Sequence, residues 1–172
     1  MESGISVSYK ADPNVNAKIV AEYKKAKKEN ESTIDFVTVK NIEGGDCIEF
    51  EPNLEGEVIL KEFEKFNTDI KTDEYILVHF VVTNQNQTSD VSLNVVIDNQ
   101  ESENMMVKYC LTNSGTAEDW KNSLNDLIGI ETIIEKDSKF ELFMKVSADA
   151  QNKSAKFLAS FNFELNSVEV EK

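Results

Sequence analysis

The sequence predicts an all-β chain: a two-sheet antiparallel β-sandwich of jelly-roll or immunoglobulin-like type, with one short helix. Three observations carry this. Short runs of β-branched and aromatic residues recur along the chain, and within most of them apolar and polar side chains alternate with period two. The runs are separated by polar stretches in which Asn, Asp and Ser do the turning, because Gly numbers only 6 and Pro 2. Helical spacing is convincing in one segment alone, around Trp120.

Ile5, Val7 and Tyr9 alternate with Ser6, Ser8 and Lys10, a half-buried strand that Asp12-Pro13-Asn14 ends. Val15, Ala17, Ile19, Ala21 and Tyr23 resume the alternation. The same stretch is rich in helix formers, but the period of two favours a strand. The lysine-rich cluster from Lys24 to Ser32 reads as a solvated turn or loop. Thr33 to Ile42 and Cys47 to Phe50 are strand candidates separated by Glu43-Gly44-Gly45-Asp46. Val58 to Phe66, with charges among Leu60, Phe63 and Phe66, suits an edge strand.

The centre of the chain is the stretch Tyr75 to Asp98. Tyr75 to Thr83 is apolar on both faces, as an interior strand must be, whereas Val91, Leu93, Val95 and Ile97 alternate with Ser92, Asn94 and Asp98. Joined by Asn84-Gln85-Asn86-Gln87-Thr88-Ser89-Asp90, the two read as a hairpin in the middle of the core. Asn99 to Glu103 reads as a polar turn, and Met105 to Leu111 as the next strand. Thr116 caps a predicted helix in which Trp120, Leu124, Leu127 and Ile128 form one face, placed to plug an end of the sandwich. Ile130 to Ile134, Phe140 to Val146 and Phe157 to Leu165 complete the strands. No composition shift or repeat divides residues 1–172, so a single domain is expected, with residues 1–12 as an arm or strand of its own.

The formal net charge is −14, and the basic side chains, 18 in number, are all lysines. Such a chain lacks both the clustered cations of a nucleic-acid surface and the bidentate guanidinium fork. No apolar run approaches the roughly 20 residues of a membrane-spanning helix. The first residues, Met-Glu-Ser-Gly-Ile-Ser-Val-Ser-Tyr, contain no signal-peptide pattern, so the chain reads either as an intracellular protein or as the mature form of an extracellular or cell-surface one.

A catalytic constellation is not found. His79 is the single histidine and lies inside Leu77-Val78-His79-Phe80, which suits a structural role. With Cys47 and Cys110 it makes no zinc pattern, and those cysteines are read as two buried thiols rather than one inter-strand bridge. No phosphate-binding glycine loop or nucleophile elbow occurs. A loop-built calcium site would recruit Asp46, Asp90 or Asp149, although no EF-hand spacing is present. Catalytic residues, metals and cofactors are therefore expected to be none. Trp120 is the leading candidate for stacking on a glycan ring, ahead of Tyr9, Tyr23 and Phe66, with packing over the open end of the core as its bland alternative.

The blocks Gly4-Ile5-Ser6-Val7-Ser8-Tyr9 and Phe80-Val81-Val82-Thr83-Asn84-Gln85-Asn86-Gln87-Thr88-Ser89-Asp90-Val91, with the late strands Phe140–Val146 and Phe157–Leu165, resemble the TasA/camelysin-like secreted bacterial fibre and surface proteins. That resemblance covers about half the chain. It implies an extracellular, non-enzymatic structural or adhesive subunit that self-associates into a homopolymer. It further implies a donor strand, carried here by Ile5, Val7 and Tyr9 with Asp12-Pro13 as the hinge. The alternative from another class is a carbohydrate-binding sandwich module centred on Trp120.

Overall fold

A computed structural model of the chain describes residues 4–27, 34–35, 45, 47–50, 59–63, 73–103, 105–112, 116–117, 120, 130–148 and 156–168. In chain order the strands are β1 (Gly4–Ala11), β2 (Ala17–Lys27), β3 (Ile34–Asp35), β4 (Cys47–Phe50), β5 (Ile59–Glu62) and β6 (Glu74–Asn84). They continue with β7 (Val91–Glu103), β8 (Met105–Thr112), β9 (Thr116–Ala117), β10 (Ile130–Ile134), β11 (Lys139–Ala148) and β12 (Lys156–Ser167). The first sheet runs β10-β7-β12-β1-β5 and the second β4-β2-β6-β11-β8, while β3 and β9 form a separate two-stranded ladder. This is a two-sheet β-sandwich, as the alternation requires.

Each strand turns one set of side chains inward. Ile5, Val7, Tyr9 and Ala11 of β1, Val91 to Ile97 of β7 and Phe157 to Leu165 of β12 meet Ala17 to Tyr23 of β2, Ile76 to Val82 of β6 and Leu142 to Val146 of β11. Phe80 touches the rings of both Phe161 and Phe163, with centroids 4.6 and 5.4 Å away. Each such fully buried ring contributes roughly 1.5–3 kcal/mol. The core between the sheets is one continuous cluster.

Several sequence expectations are corrected. The pair from Tyr75 to Asp98 is not a hairpin, because β6 belongs to the second sheet and β7 to the first. Local turn chemistry is the same for a hairpin and for a connection that crosses the sandwich. What makes it a crossing is Asn84, whose buried side chain holds the corner. Its Nδ2 donates to the carbonyls of Ser89 and Ile134, each at 3.0 Å, and its Oδ1 accepts from the Asn86 amide at 2.9 Å. Nor is the sandwich wholly antiparallel: β1 and β12 pair in parallel, from Gly4 opposite Leu158 to Ala11 opposite Leu165.

The lysine cluster is partly strand, since β2 continues to Lys27. Lys25 lies on the inward face and is buried there with Glu74, its Nζ 3.8 Å from Oε1. Asn99 to Glu103 is likewise strand, the outer end of β7 pairing with the start of β12. The predicted helix begins instead with a strand pair at Thr116 and Ala117, and no helix occurs among the described residues; 118–119 and 121–128 lie outside them. Thr33 and residues 36–42 of the Thr33–Ile42 candidate also lie outside. No helix among the described residues is long and apolar enough to cross a membrane. The turn Glu135-Lys136-Asp137-Ser138 is closed by the Ser138 amide on the Glu135 carbonyl at 3.0 Å, with Asp137 at a φ of 56°, which aspartate tolerates better than most residues.

Candidate functional site: the slot of the first strand and the outer face of the second sheet

Ile5, Val7 and Tyr9 come together, with Ala11, as the inward face of β1. Their strand lies in a slot between β12 and β5 of its own sheet. On the outward face Ser6 Oγ donates to Ser160 Oγ at 2.9 Å, and Ser8 Oγ to Asn162 Oδ1 at 2.7 Å. Asn162 passes the ladder on to Asp98 and to the Val96 carbonyl on β7, at 2.9 and 3.2 Å. The hydroxyls of β1 thus add side-chain bonds to a backbone ladder.

The expected hinge is a built corner. The Val15 amide donates to the Asp12 carbonyl at 2.9 Å, the Asn14 amide to Asp12 Oδ1 at 3.2 Å, and Ser167 Oγ to Asp12 Oδ2 at 3.1 Å. Beyond it, the Asn16 amide donates to Asn86 Oδ1 at 2.9 Å and the Gln85 amide to the Asn16 carbonyl at 2.8 Å. The side chain of Asp12 folds back on the two residues after it, as aspartate does in turns, while Pro13 has no amide to satisfy. This corner carries the chain from the first sheet to the second.

One inward feature of β1 is imperfect. The Tyr9 ring is buried and stacks on Phe50 of β4 at a centroid distance of 5.6 Å. Its hydroxyl is buried too and has no hydrogen-bond partner among the described residues. Burial holds its pKa above the ordinary tyrosine value.

The second sheet carries a polar cluster on the face turned away from the core. Register places Cys47, Glu22, His79, Phe143 and Cys110 in one transverse row over β4, β2, β6, β11 and β8. His79 stacks on Phe143, with ring centroids 4.3 Å apart and planes 17° from parallel. Its Nε2 lies 3.0 Å from Glu141 Oε1 and its Nδ1 3.7 Å from Glu22 Oε1. Glu141 is buried, and Lys139 Nζ lies 3.6 Å from the same Oε1, while Oε2 has no partner among the described residues. Desolvation lowers the His79 pKa, against the opposing pull of Glu141 and then Glu22. A neutral imidazole that donates its Nε2–H to the Glu141 carboxylate fits this arrangement. The two carboxylates reach opposite ring nitrogens, so they do not converge on one point. No group of three or more His, Cys, Asp or Glu side chains among the described residues is placed to hold a metal ion.

Trp120 is remote from β1. It packs against Ala26, Tyr75, Leu77, Cys110 and Phe143, on the outer face of the second sheet rather than at an end of the sandwich. Lys145 Nζ stands 4.6 Å from its ring centroid. Its half-buried ring therefore has both an apolar bed and a cation.

Of the cysteines, Cys110 is buried but Cys47 is exposed, and neither is in a disulfide, which corrects the expectation of two buried thiols. On β4 the outward positions Cys47 and Glu49 are exposed, whereas on β8, the other edge of the sheet, Cys110 is covered by the cluster that includes Phe143 and Trp120. Of the carboxylates a calcium site would recruit, Asp90 accepts the Lys136 amide at 3.2 Å through Oδ1, and Asp46 and Asp149 lie outside the described residues. A shallow depression of about 380 Å³ is lined by Thr83, Asp137, Ser138 and Lys139, which include neither Trp120 nor a residue of β1. The transverse row was not legible in the sequence. It joins five strands whose pairing depends on topology, and period two says only which face each residue takes.

The fold and these two regions define a two-sheet sandwich whose first strand sits inside its own sheet. No family model matches the chain, and no curated protein matches it by sequence. Among solved structures, the major pilin from Streptococcus pyogenes aligns with 98% of this chain and 100% of its own, at 9% identity and a TM-score of 0.24. A likeness at that score carries no argument.

Proposed function

We propose that this chain is a non-enzymatic structural or adhesive subunit of the cell surface or extracellular space, folded as a single domain, that polymerises by exchange of its first strand. The observation that carries the reading is the seating of β1. Its two ladder partners, β12 and β5, are distant in sequence, and the chain continues from β1 to β2 through the corner Asp12–Asn16. A second copy can therefore fill the same slot with the same residues, reproducing every ladder bond and every inward contact of Ile5, Val7, Tyr9 and Ala11. Strand addition of this kind takes affinity from the main chain and specificity from alternate side chains. Because donor and acceptor surfaces differ, the contact is head-to-tail and extends rather than closes. The resemblance to TasA/camelysin-like fibre proteins, carried by the block from Gly4 to Tyr9, points the same way.

The test is negative-stain electron microscopy beside size-exclusion chromatography. Ser6 and Ser160 touch through their hydroxyls, so Ser6→Cys with Ser160→Cys, in a Cys47→Ser background, locks β1 to β12 within one chain. Filaments or oligomer ladders are expected from the wild type and from the reduced double variant, but not from the oxidised one. Removal of residues 1–12 should abolish them as well. A monomer at high concentration under all conditions sinks the reading. The alternative, a carbohydrate-binding module, rests on Trp120, the one tryptophan. Its ring must then exchange Lys145 for a sugar, and a polysaccharide titration followed by tryptophan fluorescence checks that.

A further inference from the structure

We infer that β5 is a latch over the first strand: β1 leaves its slot only after β5 has opened, and Lys61 sets how often that happens. The inference rests on the strand-exchange reading for its biological use, but its physical basis is independent of it.

The two neighbours of β1 hold it unequally. β12 pairs with β1 along its whole length and is itself an interior strand, paired on its other side with β7 from Lys156 to Ser167. β5 is the edge of the sheet and pairs with β1 only from Ser6 to Tyr9. A four-residue edge strand is the part of a sheet that opens at least expense, because few bonds break and no second neighbour must yield. β1 itself cannot slide out between two paired strands. The easy path therefore starts at β5.

Among the described residues, two side chains, Phe63 and Lys61, tie β5 down. The Phe63 amide, just past the strand, donates to the Ile5 carbonyl at 3.1 Å. Phe63 is buried and meets the edge of the Tyr23 ring at 5.2 Å. Lys61 makes the tie across to the other sheet. Its Nζ donates to the Glu49 carbonyl on β4 and lies 5.0 Å from the centroid of the Phe50 ring, which in turn stacks on Tyr9. Lys61 faces Val7 in the ladder, so one side chain links β5, β4 and the strand to be released. Leu60, on the other face of β5, is 63% exposed. Among the described residues, the open side of the sandwich, where β4 and β5 are the two sheet edges, is thus bridged by the Lys61 ammonium, on a carbonyl and a ring face, and by the ring contact of Phe63 with Tyr23.

Native-state amide hydrogen exchange on the full chain tests this. In Lys61→Ala the amides of β5 and of Ser6 to Tyr9 should exchange faster together, by about tenfold, the loss of one cation–ring contact and one charged hydrogen bond. The amides of Asn162 on β12, which faces β7 rather than β1, and of Leu142 on β11 should keep their wild-type rates, and Lys61→Arg should lie near the wild type. Faster exchange in β5 with β1 unchanged, or an equal rise throughout both sheets, overturns the latch. Filament growth separates the latch from the reading it serves. Filaments that grow about tenfold faster from Lys61→Ala support both. Filaments that grow at the wild-type rate overturn the latch and leave strand exchange standing. Joint acceleration of β5 and β1 amides, with no filaments from either chain, supports the latch and removes the exchange reading.

Discussion

Cys47 and Cys110 stand at opposite ends of one row across the second sheet, with Glu22, His79 and Phe143 between them. Four strand spacings put their backbones about 19 Å apart. A disulfide needs Cα atoms within about 7 Å, so this fold excludes an intramolecular bridge.

Thiol chemistry should follow that geometry. In native, unreduced protein one thiol, that of the exposed Cys47, should react rapidly with a chromogenic disulfide. The second should appear only on unfolding, because Cys110 is buried beside Phe143 and Trp120. Cys47→Ser should abolish the fast phase. Absence of any free thiol in the denatured monomer would contradict the strand order.

Acid should weaken the fold through His79. The unfolded chain takes up this proton near the ordinary value of 6.5, whereas the native state, with a lowered pKa, takes it up only at lower pH. Protonation thus favours the unfolded chain. This contribution is intact above pH 6.5 and is lost as the pH falls below it. The groups facing the imidazole are Glu22 from β2 and Glu141, with Lys139, from β11. Urea midpoints measured from pH 7.5 to 5.5 should decline in the wild type and decline less in His79→Gln. Parallel slopes would show that His79 is not the group responsible.

Tyr9→Phe should stabilise the protein by about 1 kcal/mol, since it deletes a buried hydroxyl without a partner among the described residues and leaves the ring on Phe50. A rise in the urea midpoint at constant slope is the expected readout. A loss of stability would reveal a partner for the hydroxyl.

Asn84→Ala should cost about 2–3 kcal/mol, because three hydrogen bonds go and the buried Ile134 carbonyl loses its side-chain donor. Asn84→Asp should be no better, since it replaces the donating amide with an acceptor aimed at two carbonyls. Thermal unfolding of both variants checks this.

The alternation of residues such as Phe157, Ala159, Phe161, Phe163 and Leu165 determined by itself that this chain forms strands, which of their faces are buried and that two sheets must pack together. It also placed Ile5, Val7 and Tyr9 on one face and His79 within an interior strand. Tertiary structure alone decided that β6 and β7 part company at Asn84, that β1 lies parallel to β12 with β5 closing its other edge, and that Cys47, His79 and Cys110 share a row. The physical reason is that side-chain period is a local property of the backbone, whereas the choice of neighbouring strand is set by contacts between residues far apart in the chain. Nothing in the block from Gly4 to Tyr9 specifies that Leu158 to Leu165 will lie beside it; only the closing of the whole core makes that pairing the one that buries both.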